Sequence, residues 1–242
     1  MRSIAISTLL FFLTISHAET LTIGIQAYAP PYSLFAGKNR YFGFEVALMD
    51  AICKEINAQC QYSPGSYDQL LAKVREGKLD LALATIPINN ENQTKYLFSL
   101  PYLNSYGQLI TLINSPIHSI ADTKGKRFGT WKDELFLRMI REKFSEHGEI
   151  KQYTKFSELI HALVNGKVDV VLLRASAAKY RASSESSVDY FKLVGDKISL
   201  GNCYGIITRP ENLALIERLN YALLKLENNG VYMQIYTKYF GK

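Results

Sequence analysis

The sequence predicts an α/β protein built as two similar lobes, and three observations carry that reading. A helix-glycine-strand unit occurs twice, apolar residues recur at helical spacing between short apolar runs, and two polar, glycine-bearing segments mark crossings of the chain. The first copy of the unit is "SYDQLLAKVREGKLDLALAT": Ser66 or Asp68 is the expected N-cap, Leu70, Leu71 and Val74 form one face, Gly77 stops the helix, and a strand follows from Leu79 to Ala84. Gly166-Lys167-Val168-Asp169-Val170 repeats Gly77-Lys78-Leu79-Asp80-Leu81 after 89 residues, with Leu159, Ile160 and Leu163 answering Leu70, Leu71 and Val74, and Phe156 answering Tyr67. That grammar recurs throughout α/β proteins, so chance similarity is the competing reading.

The elements follow in order. "MRSIAISTLLFFLTISHA" has one basic residue, Arg2, an apolar stretch from Leu9 to Leu13 and a small-residue ending, the layout of a secretory leader cleaved after Ala18. It is too short and too early to read as a membrane span. "LTIGIQA" from Leu21 reads as a strand, "YAPPYSLF" from Tyr28 as a proline-broken loop, and Phe44–Asn57 as a helix with Val46, Met49, Ile52 and Ile56 inward. Segments from Tyr102 and from Ser199 are the expected crossings between lobes, and the C-terminal piece returns to the first lobe as a helix with Leu213, Ile216, Leu219, Leu223 and Leu226 on one face and Gly230 as its stop. Ser183–Ser187 reads as an exposed loop. These crossings give residues 19–104 plus 203–242 to lobe 1 and 105–202 to lobe 2, after a leader of residues 1–18.

Composition narrows the function. Lys and Arg number 28 against 22 Asp and Glu, yet no basic block exceeds Lys124–Arg127, so no nucleic-acid partner is expected. Of three cysteines in an exported chain, Cys53 and Cys60 bracket "KEINAQ" and are close enough for a bridge between helix end and following strand, with two buried thiols as the other reading. Cys203 is left over, and no His or second Cys pair stands at zinc-ligand spacing, so no metal or cofactor is expected. Under the repeat, Thr85 and Arg174 fall at equivalent places just past the carboxyl ends of their strands, where open α/β sheets bind ligands.

"LTIGIQAYAPPYS", "FGFEVALMDAICKEINAQC", "YDQLLAKVREGKLDLALA", "YLFSLPY" and "NGVYMQIYTKYFG" resemble the polar amino acid branch (family 3) of the periplasmic solute-binding proteins of ABC transporters, over essentially the whole chain after the leader. The resemblance implies the two-lobed type II binding-protein fold, each lobe a mixed sheet flanked by helices and joined by a two-strand hinge. It also implies a small polar ligand in a cleft that closes, an ABC permease in the inner membrane as partner, a periplasmic monomer, and, from "CKEINAQC", a Cys53–Cys60 disulfide. Tyr67 takes the place of the family's aromatic wall, its other reading being an aromatic at a helix start; the second aromatic register falls on Ala29, with Tyr28 one place early.

The departures concern the ligand's α-amino acid group. Where relatives read "SITxxR" this chain has "PINNEN", so Asn89 and Asn92 replace a threonine and a carboxylate-binding arginine. The family's glycine-threonine turn is replaced by "TWKDE", and its ammonium-pairing aspartate by Arg174, which would repel an ammonium. Two readings follow: Arg174 clamps an anionic group while Asp133 or Glu134 receives a cationic end, or Arg174 pairs structurally with a nearby acid. An enzyme of dehydratase type and a ligand sensor for a membrane receptor are the alternative functions.

Overall fold

The computed structural model describes residues 18–132, 134–144, 146–183 and 190–241. The leader before Ala18, Asp133 and most of the serine-rich stretch lie outside the described residues, and Ser183 closes a helix instead of opening a loop.

In the first lobe, β1 (Glu19–Gln26) leads into three short strands, β2 (Tyr28–Ala29), β3 (Ser33–Phe35) and β4 (Tyr41–Phe42), which form a small sheet of their own. Then come α1 (Phe44–Glu55), β5 (Ala58–Gly65), α2 (Tyr67–Arg75), β6 (Leu81–Leu83), the single turn α3 (Asn90–Gln93) and β7 (Leu97–Phe98). The long strand β8 (Leu103–Leu112) carries the chain into the second lobe, where β9 (Phe128–Trp131), α4 (Glu134–Lys143), β10 (Ile150–Tyr153), α5 (Phe156–Val164), β11 (Val170–Arg174) and α6 (Ala175–Ser183) follow. The equally long β12 (Phe191–Tyr204) brings it back to β13 (Ile207–Thr208), α7 (Leu213–Asn228) and α8 (Val231–Phe240).

Among the described residues the two large sheets have five strands each, in the orders β5-β1-β6-β13-β7 and β10-β9-β11-β8-β12. In each, three parallel strands joined through helices are followed by two antiparallel neighbours. The repeat is therefore structural, and its residues do matching work. Gly77 and Gly166 turn the chain at φ 71° and 64°. The carboxylate of Asp80 accepts from the Thr22 N–H (2.7 Å) at β1, and that of Asp169 accepts from the Arg127 N–H (2.8 Å) at the start of β9. Gly24 and Gly129 lie under the helices: a Cβ at Gly24 would come within 2.9 Å of Leu70, and one at Gly129 within 2.9 Å of Leu159. Either added methyl group would overpack the helix-sheet layer.

Burial explains the element choices. Ile23 and Ile25 alternate with residues facing α2 and join Phe44, Met49 and Ile52 of α1 and Leu219 and Leu223 of α7 in one core, which α8 closes with Phe240 4.8 Å from Phe44 between ring centroids. The other side of the sheet is filled by Leu70 and Val74 of α2. Ser66, rather than Asp68, caps α2, with Gln69 completing a capping box. β6 starts at Leu81, later than the sequence suggests, because the Leu79 N–H still closes the helix end on Lys73. Leu213 opens α7 facing solvent, whereas Ile216, Leu219, Leu223 and Leu226 are buried as expected.

The crossings at Tyr102 and Ser199 are not breaks but paired strands. β8 and β12 run antiparallel from Leu103↔Tyr204 to Leu112↔Phe191, so Asn104, Ser105 and Gly107 sit inside a hydrogen-bonded ladder. Pairing satisfies backbone groups that a loose linker would leave to water.

Cys53, at the end of α1, is bonded to Cys60 in β5, seven residues on, and Cys203 is free. Closing so short a loop contributes on the order of 2 kcal/mol in the chain-entropy account. Replacing both cysteines, Cys53→Ser with Cys60→Ser, is expected to lower unfolding stability by about that amount, read from urea midpoints at unchanged slope.

Candidate solute site between the lobes

The carboxyl ends of β6 and β11 meet a cluster of polar groups that the apolar cores surround. Glu45 lies in the first turn of α1 and is 0 % exposed. Its Oε1 accepts from the Thr85 N–H (2.7 Å) and from the Tyr102 hydroxyl (2.5 Å), while Oε2 has no hydrogen-bond partner among the described residues. Burial raises the Glu45 pKa above its ordinary value, against the pull of the Tyr102 and Thr85 hydrogen bonds and of the Arg174 charge. Thr85 reaches Glu45 by taking up a left-handed backbone, φ 48°, just past β6. Its hydroxyl donates to the Ala84 carbonyl (2.7 Å).

From the second lobe, Arg174 ends β11 and its Nε–H donates to the Tyr204 hydroxyl (2.9 Å), which shares a hydrogen bond with Ser105 (2.7 Å). The guanidinium carbon lies 5.7 Å from the ring centroid of Phe136 in α4. Tyr32, in the loop after β2, reaches across to hydrogen-bond Ser176 at the start of α6, so the lobes touch. Burial pushes the Tyr32 hydroxyl far above the usual tyrosine range, and the Arg174 charge opposes it.

The residues singled out from sequence fall in three places. Tyr67, Asn89 and Asn92 line a depression of about 390 Å³ on the first lobe, between α2 and α3. There the Asn89 side chain caps α3 by accepting from the Asn92 N–H (2.8 Å), and the Asn92 side chain donates to the Pro87 carbonyl (2.9 Å). Thr85 backs onto Glu45, and Arg174 stands at the hinge strands. Tyr28 is 62 % exposed, on a strand that pairs with β3. Asp133 lies outside the described residues, and Glu134 begins α4. Sequence reading missed Glu45, Tyr102, Ser105 and Tyr204. Glu45 had a legible signal, an acid beside Phe44 and Val46 where the helix face is otherwise apolar. Among the described residues, no group of three or more His, Cys, Asp or Glu stands together to hold a metal, and no helix is long and apolar enough to cross a membrane.

Comparison with known proteins agrees with this architecture. Residues 21–143 and 110–242 match the bacterial extracellular solute-binding proteins, family 3. The chain is 30% identical to a putative ABC transporter arginine-binding protein 2 of Escherichia coli (strain K12), covering 100% of both chains, and 26% identical to an arginine-binding periplasmic protein of Mannheimia haemolytica over 97% of each. Among solved structures, it resembles an arginine 3rd transport system periplasmic binding protein from Legionella pneumophila with a TM-score of 0.81 at 32% identity, over 92% of this chain and 100% of that one. An ancestral arginine-binding protein bound to glutamine resembles it with a TM-score of 0.74 at 28% identity, over 93% of this chain and 100% of that one. The fold is that of a type II periplasmic binding protein, and the chain belongs to family 3 of the bacterial extracellular solute-binding proteins. It is the solute-binding component of an ABC transporter.

A carboxyl whose pKa is raised by folding stabilises the protein fully below the ordinary value of 4.5, and that contribution is lost as pH rises through the folded value. Glu45→Gln, neutral at every pH, is therefore expected to flatten the fall in melting temperature from pH 4.5 upward. Melting curves at half-unit pH steps check it: parallel wild-type and variant profiles contradict it.

Proposed function

We propose that the chain, after cleavage behind Ala18, works as a periplasmic monomer that captures an amino acid or related small carboxylate between lobe 1 (residues 19–104 and 203–242) and lobe 2 (residues 105–202) and delivers it to an ABC permease in the inner membrane. The single observation that carries the choice of solute is Arg174. Where relatives present an acid to the ligand's ammonium, this chain places a cation at the end of β11, close enough to Glu45 and Tyr32 to act on both ionisations. A carboxylate brought there gains charge-assisted hydrogen bonds, whereas an ammonium is repelled.

Tyr67 supplies a flat wall beside the depression on lobe 1, where Asn89 and Asn92 bring no charged clamp, their side chains being engaged at the start of α3 and at the Pro87 carbonyl. In this reading Thr85 holds Glu45 in place through its N–H, and Asp133 or Glu134 receives a cationic end of the solute. The names of the relatives point to arginine for those proteins, and the one bound to glutamine carries an uncharged side chain. The exchanged residues in this chain favour a solute held by its carboxylate at Arg174. No catalytic step belongs to this reading: the solute leaves unchanged.

Titration calorimetry with L-arginine, L-lysine, L-histidine, L-glutamine, L-glutamate and succinate, followed by mass spectrometry of the recovered solute, tests it. Tightest binding is expected for a compound whose carboxylate is not crowded by a second cation, and Arg174→Asp is expected to weaken it about 10- to 100-fold, the loss of one or two charged hydrogen bonds. Unchanged affinity in that variant sinks the assignment.

A further inference from the structure

We propose that Tyr204 is a positioning residue that ties the solute anchor to the hinge: its hydroxyl holds the Arg174 guanidinium against both crossing strands, so the angle between the lobes and the aim of the anchor change together. This rests on Arg174 being the anchor. Arg174 belongs to the second sheet, where it pairs with Gly107 of β8. The group that holds its Nε–H at 2.9 Å, however, is the hydroxyl of Tyr204, the last residue of β12, where the chain re-enters the first lobe. That hydroxyl is held in turn by Ser105 on β8 at 2.7 Å. Tyr204 of one crossing strand thus holds the arginine, and Ser105 of the other holds Tyr204.

Tyr204 is itself fixed. Its carbonyl accepts from the Tyr102 N–H (2.9 Å), its backbone bridges antiparallel to Pro87 in the segment that leaves β6, and Tyr204 and Ser105 are both buried. The guanidinium carbon lies 5.5 Å from the Tyr204 ring centroid and 5.7 Å from that of Phe136, so the side chain is bounded by two rings besides being hydrogen-bonded. A long, rotamer-rich arginine is thereby ordered before any solute arrives, and the ordering cost does not fall on the binding step. Because the brace stands on the hinge and the anchor on the second lobe, rotation about the hinge must either carry the guanidinium with it or lengthen the Nε–H bond. Affinity at the anchor and the preferred lobe angle are then linked, and the linkage acts equally in both directions.

Hydrogen exchange of arginine Nε–H groups, followed by ¹⁵N-resolved spectra of the full mature chain near pH 6, tests the brace without requiring a known solute. Arg174 is assigned by its disappearance in Arg174→Lys, and Arg127, whose Nε–H donates to Asp169 at 3.0 Å in the second lobe, is the internal reference. Tyr204→Phe keeps the ring and removes the hydroxyl. It is expected to speed Arg174 exchange at least tenfold while leaving Arg127 within twofold, and Ser105→Ala, which loosens the hydroxyl without deleting it, is expected to give a smaller increase of the same selectivity.

Unchanged Arg174 exchange in Tyr204→Phe overturns the proposal. If both arginines speed up together, the fold has loosened and Ser105→Ala decides, an unselective effect there also counting against the brace. In the same samples the preference for L-glutamate over L-glutamine is expected to fall about fivefold in Tyr204→Phe. If Arg174→Asp leaves binding intact, the anchor reading fails whatever the exchange data show. If Arg174→Asp abolishes binding and Tyr204→Phe alters neither exchange nor preference, the anchor stands and the positioning role falls.

Discussion

A carboxyl group sealed inside the protein is the constraint around which the site is organised. Glu45 joins three pieces of chain that have no covalent reason to meet: the first turn of α1, the turn after β6 and the segment that enters β8. Burying a carboxyl is costly unless it is hydrogen-bonded or neutralised, so the groups around it are not free to drift. Thr85 takes up a left-handed backbone at this turn, where its N–H meets Oε1. Tyr102, fully buried, is held by the same oxygen, and it is the residue whose N–H meets the Tyr204 carbonyl. The acid at the start of one helix thus reaches the hinge through two tyrosines.

The two lobes solve the same packing problem with different residues. Asp80 and Asp169 each bind the backbone N–H at the root of the first parallel strand, yet Asp80 adds the Thr22 hydroxyl while Asp169 adds the Arg127 guanidinium at 2.7 Å. That ion pair holds Asp169 below the usual carboxylate range, chiefly through its hydrogen bond to Arg127. Past the strands the lobes diverge. One ends in a turned threonine bound to a buried acid, the other in an arginine bound to the Tyr204 hydroxyl.

Much of this was legible from the sequence because it follows from periodicity and punctuation. The helices of both repeats, their glycine stops and the disulfide segment are set by local spacing, which a linear reading captures. The family resemblance added the two-strand hinge. What could not be read was pairing between distant segments. The segment from Tyr102 reads only as a crossing, whereas strand β12, some ninety residues later, supplies the ladder in which it lies. Asn89 and Asn92, which take the places of ligand groups in the family's motif, spend their side chains on capping α3 and on Pro87, a local use that only the turn geometry discloses. Tyr204 carried no signal, since its role depends on Ser105 and Arg174 arriving from either side.

The ladder between β8 and β12 is not regular: its register shifts between Val194 and Ile198 and again between Ser199 and Cys203. Each shift is a bulge-like irregularity that interrupts pairing and adds local twist. Two strands bonded edge to edge resist being slid past one another or pulled apart, because either would break a row of hydrogen bonds at once. They yield far more readily to bending across the ribbon at such a defect. The connection therefore behaves as a leaf spring with prepared creases, stiff along its length and compliant at the two defects.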